Sequence, residues 1–293
     1  MLSHLKFKKY IHHFQVSFDH LRYVMKVLLQ HFAPLSFLHR RNIKHTHVDD
    51  ATLLALMLTQ IDWGITSQAR FCRLLKQLFP QWALERSRFN RRVRQLLPIL
   101  QCLRRCLTKR CEYSDLAIIE SFPVPLCQSV RNQRVRIFQP IANIGYNATK
   151  GVWFYGFKVH VVMEADGLIL NYVVTKASVH DTREALELIH GCPCPTVIAD
   201  VGYVGKRLVQ AFRQAGYQLW TPFRSNMQGA KQHNSRQLKK LRRRIESCFS
   251  SLNELQVEHN TEHNTSRTCS GFQTRLELII LLYNLQRMRF ITN

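Results

Sequence analysis

The sequence predicts a mixed α/β protein in two parts, an all-helical stretch over residues 1–110 followed by an α/β domain over residues 111–293. Three observations carry this. Apolar residues recur at the three-and-four spacing of helices up to about residue 110. From Tyr113 the apolar runs shorten to strand length and begin to alternate with helix-length stretches. A chain of 293 residues with 46% hydrophobic content also has enough apolar material to bury a core in each of two domains.

In the N-terminal part, Phe18, Leu21, Val24, Met25 and Leu28 mark the buried face of a first helix. Asp49 or Asp50 caps a second, in which Leu53, Leu54, Leu56 and Met57 keep helical spacing until Gly64 breaks it. A third starts at Thr66 or Ser67, turns Phe71, Leu74, Leu75 and Leu78 inward, and stops at Pro80. Ser87 caps a fourth, with Phe89, Val93 and Leu96 facing a core and Arg88, Arg91, Arg92 and Arg94 outside. Short helices with a basic last member have the form of a helix-turn-helix-like DNA-binding domain, whose final helix enters a major groove. The plainer alternative is a solvated arginine face on an ordinary bundle. No acid lies between Arg86 and Gln101, which favours DNA contact through Arg88, Arg91 and Arg94.

Beyond Tyr113, strand-like runs occupy 116–121, 153–163, 168–174, 196–200 and 217–220, and helix-like stretches occupy 181–190, 206–214, 235–255 and 273–288. Polar stretches 225–235 and 259–270 read as surface loops. Three successive strands followed by alternating elements is the order of a ribonuclease-H-like domain. There the first and fourth strands carry acids side by side and a late helix brings a third.

Acids stand where that order needs them. Glu120 lies in the run Ala117-Ile-Ile-Glu-Ser-Phe122, Asp200 ends Val197-Ile-Ala-Asp200 just before Gly202 and Tyr203, and Glu246 lies on the basic helix beginning Lys239-Lys-Leu-Arg. Three converging carboxylates can hold two divalent cations about 3.5–4 Å apart, one at each oxygen of a phosphoryl transfer. The plainer alternatives are that Asp200 starts a turn and that Glu246 pairs with Arg242 or Arg243 one turn earlier. Yet Leu238, Leu241, Ile245, Phe249 and Leu252 form the helix's apolar stripe, and Glu246 sits at its border, where it can reach a cleft. Lys158 and His160 alternate with Phe157 and Val159 on a half-exposed strand: Lys158 is a candidate DNA contact, His160 a structural residue, and Asp181 a cap for the helix starting at Thr182.

Charge points to the same partner. There are 42 Lys and Arg against 19 Asp and Glu, a formal charge of +23 and a pI near 10.1. Such a chain binds a phosphate polyanion with strong salt dependence, although an anionic membrane surface or a ribosome would also attract it. The longest apolar stretch, 276–285, is interrupted by Glu277 and is half the ~20 residues of a bilayer span. Nine cysteines and a charged, non-cleavable start predict a cytoplasmic protein with free thiols. Cys102, Cys106, Cys111, Cys192 and Cys194 lack the paired spacing of a zinc site.

Six segments occur in an order that resembles bacterial insertion-sequence transposases of the acidic-triad (DDE) superfamily, most closely the insertion-sequence family numbered nine-eighty-two. They are Glu120-Ser-Phe-Pro-Val-Pro-Leu-Cys127, Trp153-Phe-Tyr-Gly-Phe-Lys-Val-His160, Ala177-Ser-Val-His-Asp181, Asp200-Val-Gly-Tyr203, Thr221-Pro-Phe-Arg-Ser-Asn-Met227 and Arg242-Arg-Arg-Ile-Glu246. The segment Gly271–Met288 looks like the family's closing helix. The resemblance implies a catalytic triad of Glu120, Asp200 and Glu246 holding Mg²⁺, with Mn²⁺ as a substitute, that cleaves strands at element ends and transfers them to target DNA. It also implies a bacterial, nucleoid-associated protein acting as a homodimer on DNA. The run Arg224, Lys231, Arg236, Lys239, Lys240, Arg242, Arg243 and Arg244 contains no acid, so phosphate contacts near the site are expected from it. Lys239 stands where related families have tyrosine, and Asn253 where they have lysine. The first triad residue of the family is aspartate, and here it is Glu120. One extra methylene displaces the carboxylate by about a bond length, so reduced turnover is expected. Two alternatives follow: a DNA-binding relic or repressor without cleavage, and a Mg²⁺-dependent nuclease without strand transfer.

Overall fold

The computed structural model describes residues 4–109, 111, 113–127, 129–147, 150–223, 226–234 and 266–291, with side chains of the first helix described from Phe18 onward. The chain forms two compact units, Met1–Leu107 with Thr268–Asn293, and Thr108–Arg267.

The first unit is helical: α1 (His4–Phe32), α2 (Leu35–Leu38), α3 (Asp50–Asp62), α4 (Gln68–Leu78), α5 (Arg86–Gln95), α6 (Leu97–Thr108) and, from the far end of the chain, α10 (Cys269–Arg287). The periodic residues Phe18, Leu21, Val24, Met25 and Leu28 are all buried. Asp49 is the N-cap of α3, accepting from the Thr52 amide at 2.6 Å, and Ser67 caps α4 through the Arg70 amide. Glu85, not Ser87, holds the N-cap position of α5, and the Ser87 hydroxyl donates to the Glu85 carboxylate. Every residue of α3 from Asp50 to Ile61 is buried, as expected of a helix at the centre of its unit rather than on its surface.

Two buried acids, each paired with arginine, tie this unit together. Asp50 is buried and receives Arg40 at 2.5 Å and Arg92 at 3.0 Å. Arg92, expected outside with its arginine neighbours, therefore turns inward and also donates to the Val48 carbonyl. Its direction is set by a buried carboxylate that needs a counter-charge. Arg104 of α6 and Glu277 of α10 pair at 2.7 Å with both side chains almost wholly buried. Thr268 caps α10 through the Gly271 amide. The sequence assigns residues 111–293 to one domain, whereas the contacts group α10 with the helices of the N-terminal unit.

The second unit holds one six-stranded mixed sheet: β1 (Leu116–Pro125), β2 (Asn143–Asn147), β3 (Val152–Glu164), β4 (Ile169–Lys176), β5 (Thr196–Ala199) and β6 (Gln218–Trp220). The strand order is β2-β3-β1-β5-β6, with β4 also paired to β3. β1 runs antiparallel to β3 and parallel to β5, and β5 runs parallel to β6. Short helices α7 (Ala185–Ile189), α8 (Lys206–Gln214) and α9 (Ala230–His233) connect or follow the strands. One face of the sheet buries Ala117, Ile119, Val162, Val197 and Ala199 against Ala185, Leu188 and Ile189 of α7, Phe212 of α8, and Tyr203. This mixed α/β unit is consistent with a ribonuclease-H-like domain, and β2 is an addition to the expected strand order. Among the described residues, no helix is long and apolar enough to cross a membrane.

Candidate functional site

Strand alternation and register place the first two acids. Ala117 and Ile119 point into the core beneath α7 and α8, so Glu120 belongs to the opposite face of β1, with Ile118 and Phe122. β1 and β5 are parallel with Ile119 opposite Ala199. The next residue on each chain is therefore an acid, and Glu120 and Asp200 stand beside each other where β5 ends and β1 continues. Neighbouring strands lie about 4.8 Å apart, close enough for two carboxylates to share a bound group. Asp200 occupies the N-cap position of the 3₁₀ turn Val201–Tyr203, yet its side chain makes no capping bond. Glu120 is half-buried and Asp200 exposed, so the pair borders solvent.

Tyr203, three residues on, is 1% exposed, and its hydroxyl has no hydrogen-bond partner among the described residues. Burial holds its pKa above the usual phenol range, and the nearby carboxylates of Asp181, Glu120 and Asp200 push it in the same direction. It stays protonated and is available only to donate or accept as a neutral hydroxyl.

A second polar cluster lies on the other face of β1. Ser121 is paired across the strands with His160, and cross-strand partners share a face. The Ser121 hydroxyl donates to Asp181 Oδ1 at 2.9 Å, and Lys158 Nζ donates to the same oxygen at 3.0 Å and to the Val179 carbonyl at 2.9 Å. His160 is fully buried; its Nε2 lies 2.9 Å from Thr175 Oγ1, while Nδ1 faces Asp181 at 3.8 Å and has no hydrogen-bond partner among the described residues. Burial lowers the His160 pKa to about 4, against the opposing pull of Asp181 and with a small contribution from Lys158. The expected cap role of Asp181 falls instead to His180, whose ring nitrogen accepts from the Thr182 amide. Asp181 is thereby the junction of Ser121, the neighbour of Glu120, with Lys158. The turn it opens packs against the turn that follows Asp200. The sequence carried a signal for this junction in Ser121 of β1 and Lys158 and His160 of β3, three polar residues that share one sheet face.

The remaining predicted residues divide by position. Arg88, Arg91 and Arg94 are exposed on α5, whose Phe89 and Val93 are buried together with Leu96 at its end. Lys158 is 18% exposed and engaged by Asp181. Glu246, Arg224, Lys239, Arg242 and Arg243 lie outside the described residues. Among the described residues, no group of three His, Cys, Asp or Glu side chains is arranged to hold a metal ion. Cys102 and Cys106 approach to 4.0 Å on one helix, and the described cysteines form no disulfide.

Against known families, residues 110–266, more than half of the chain, match the family described as Transposase DDE domain. No curated protein and no solved structure matches the chain.

Proposed function

Since the chain belongs to the Transposase DDE domain family, we propose that it cleaves DNA strands at the ends of an insertion sequence and transfers them to target DNA, using Glu120, Asp200 and Glu246. The observation that carries this reading is the parallel β1–β5 register that sets Glu120 beside Asp200. Two adjacent carboxylates bordering solvent fit a divalent cation, and Glu246 would complete the set. Mg²⁺, or Mn²⁺ in its place, would be held by these three residues and would supply charge stabilisation at the attacking and leaving oxygens.

The chain's own side chains set up the rest. Ser121, anchored through Asp181, fixes the backbone that carries Glu120. The neutral Tyr203 hydroxyl sits close to the carboxylates without adding charge. Exposed arginines on α5 supply sequence-independent attraction to phosphates, and the full chain's charge of +23 strengthens it. Pairing of two DNA ends calls for two copies related by symmetry, so the working form is a homodimer on DNA. The family numbered nine-eighty-two, a bacterial source and a nucleoid location belong to the same reading.

Glu120 favours a second reading, a DNA-binding relic or repressor with weak or no cleavage. One experiment separates the two: purified protein, Mg²⁺ or Mn²⁺, and DNA carrying the inverted repeats that flank the gene, with joining to a second DNA scored separately from nicking. Nicking and joining that Asp200→Ala and Glu246→Ala both abolish support the transposase reading. Nicking without joining leaves a nuclease, and binding without nicking leaves the relic.

A further inference from the structure

We propose that the β2–β3 hairpin is a stacking platform for unpaired DNA bases, with Tyr146 and Trp153 as the stacking residues and the loop 131–136 supplying the phosphate contacts. The proposal rests on the DNA-acting reading above and adds a surface and a DNA conformation to it.

Tyr146 and Trp153 are cross-strand partners in the β2–β3 ladder, so both side chains stand on one face. Their ring centroids are 5.1 Å apart, and they are 50% and 62% exposed. Ile144, on the same face two residues before Tyr146, is 39% exposed. An aromatic pair placed in solvent is not holding the fold together; the next residue inward on that face, Tyr155, is buried at 4% exposure and does so. Large exposed apolar clusters mark interaction sites.

The charge around the pair selects the partner. From Ser121 to Met163 the chain has no Asp or Glu and five Lys or Arg. Three of these, Arg131, Arg134 and Arg136, are exposed in the loop that precedes β2, and Lys150 is exposed at the hairpin tip. The loop is held against the platform. Asn132 donates to the Trp153 carbonyl at 3.0 Å and accepts from the Tyr155 amide at 3.1 Å. The Tyr155 hydroxyl donates to the Ile137 carbonyl at 2.8 Å, which brings the end of the arginine loop to the face bearing Trp153. Exposed aromatics interleaved with cations, without acids, are the composition that binds single-stranded nucleic acid: bases stack on rings while cations follow the backbone.

The platform also shares a sheet face with the acid pair. Along β3, Trp153, Tyr155, Phe157, Val159 and Val161 alternate onto one side, and Val161 is the register partner of Glu120. Eight residues of strand at about 3.4 Å each separate the two by roughly 27 Å. A DNA strand leaving the reaction site along this face would meet the platform after several nucleotides, where a base freed from its duplex could stack.

The test measures binding of the full chain to a short fluorescent single-stranded DNA of mixed sequence and to the same DNA as duplex, over a salt series without divalent metal. Trp153→Ala and Tyr146→Ala should each weaken single-strand binding by roughly five- to hundredfold with the salt slope unchanged, and should weaken duplex binding much less. Trp153→Phe should retain most of the affinity. Arg131→Ala with Arg134→Ala should instead flatten the salt slope, by up to about 0.7 per lost contact. Since both rings are exposed, thermal melts of the variants should match the natural chain. Unchanged single-strand affinity in Trp153→Ala and Tyr146→Ala, with DNA binding otherwise intact, overturns the platform and leaves the DNA-acting reading standing. A shift in oligomeric state in those variants without loss of DNA affinity assigns the patch to a second copy of the chain and also overturns it. Absence of any DNA binding by the natural chain removes the wider reading and the platform with it.

Discussion

At the scale of single residues, the proposed activity turns on Glu120. Its strand position lies beside that of Asp200 by the β1–β5 register, and its side chain is one methylene longer than the aspartate that the resemblance implies there. Metal-assisted phosphoryl transfer tolerates misplacement of about 1 Å poorly, at a cost of up to about 100-fold in rate. Glu120→Asp should therefore raise Mg²⁺-dependent nicking of end DNA, by as much as that factor, while DNA affinity stays the same. A slower Glu120→Asp than natural chain would show that the glutamate is adapted to its place. His160 makes a second, independent prediction about pH. Its pKa is lowered from 6.5 to about 4 by burial, so the unfolded chain takes up a proton that the folded chain refuses. The stability it contributes is fully present above about pH 6.5 and is lost as the pH falls towards 4, by at most about 3 kcal/mol. Urea unfolding at pH 7 and pH 4.5 should show a larger loss in the natural chain than in His160→Gln. Equal losses would mean that His160 does not govern acid sensitivity.

At the scale of the element, α5 divides its arginines by position. Arg88, Arg91 and Arg94 are exposed, and their helix is anchored by Phe89 and Val93 without them. Replacing all three with Ala should weaken DNA binding and flatten its salt dependence by up to about 0.9 per lost phosphate contact, with stability changed by about 0.5 kcal/mol or less per site. Arg92→Ala should do the reverse, costing about 1–3 kcal/mol because it leaves Asp50 with one fewer counter-charge, with the salt slope of DNA binding intact. Denaturant melts and salt-series binding on the same proteins decide this. The contrast also shows what a sequence can disclose. Phe89, Val93 and Leu96 announce the buried side of α5 by spacing alone, but Arg92 is one of four similar arginines, and its partner lies 42 positions earlier in the chain. β2 was hidden for a local reason: five residues centred on Gly145 carry little alternation. That glycine is required by close packing, since a Cβ there would lie 2.4 Å from the Ala177 carbonyl oxygen. Glu120 and Asp200 were legible as a pair because strand order alone makes their strands neighbours. Asp181 was not, because its partners come from two other strands.

At the scale of the whole molecule, the sheet unit is inserted in the sequence of the helical one. α10 contributes Phe272, Leu276, Leu278, Ile279, Ile280, Leu281 and Leu282 to the buried interior of the helical unit, and its Glu277 neutralises the buried Arg104. An apolar helix fits many cores, so its destination could not be read from its own residues. Truncation at Arg267 should strip hydrogen-exchange protection from α3 and α6, as Arg104 loses its buried counter-charge Glu277, at a cost of about 3–5 kcal/mol. Protection in β1, β3 and β5 should persist. Retained protection throughout α3 and α6 would show that the first 107 residues are stable alone.

This insertion imposes a schedule on synthesis. Residues 108–267 emerge between the two halves of the helical unit, and at about 5–20 residues per second a ribosome takes roughly 8–30 s to make those 160 residues. Throughout that interval the nascent N-terminal helices wait for α10, with Arg104 lacking its Glu277 counter-charge and an apolar surface open to chaperones. The sheet unit has all its strands before the helical unit is whole. The order of maturation is thus the reverse of the order of translation, and the helices that are made first are finished last.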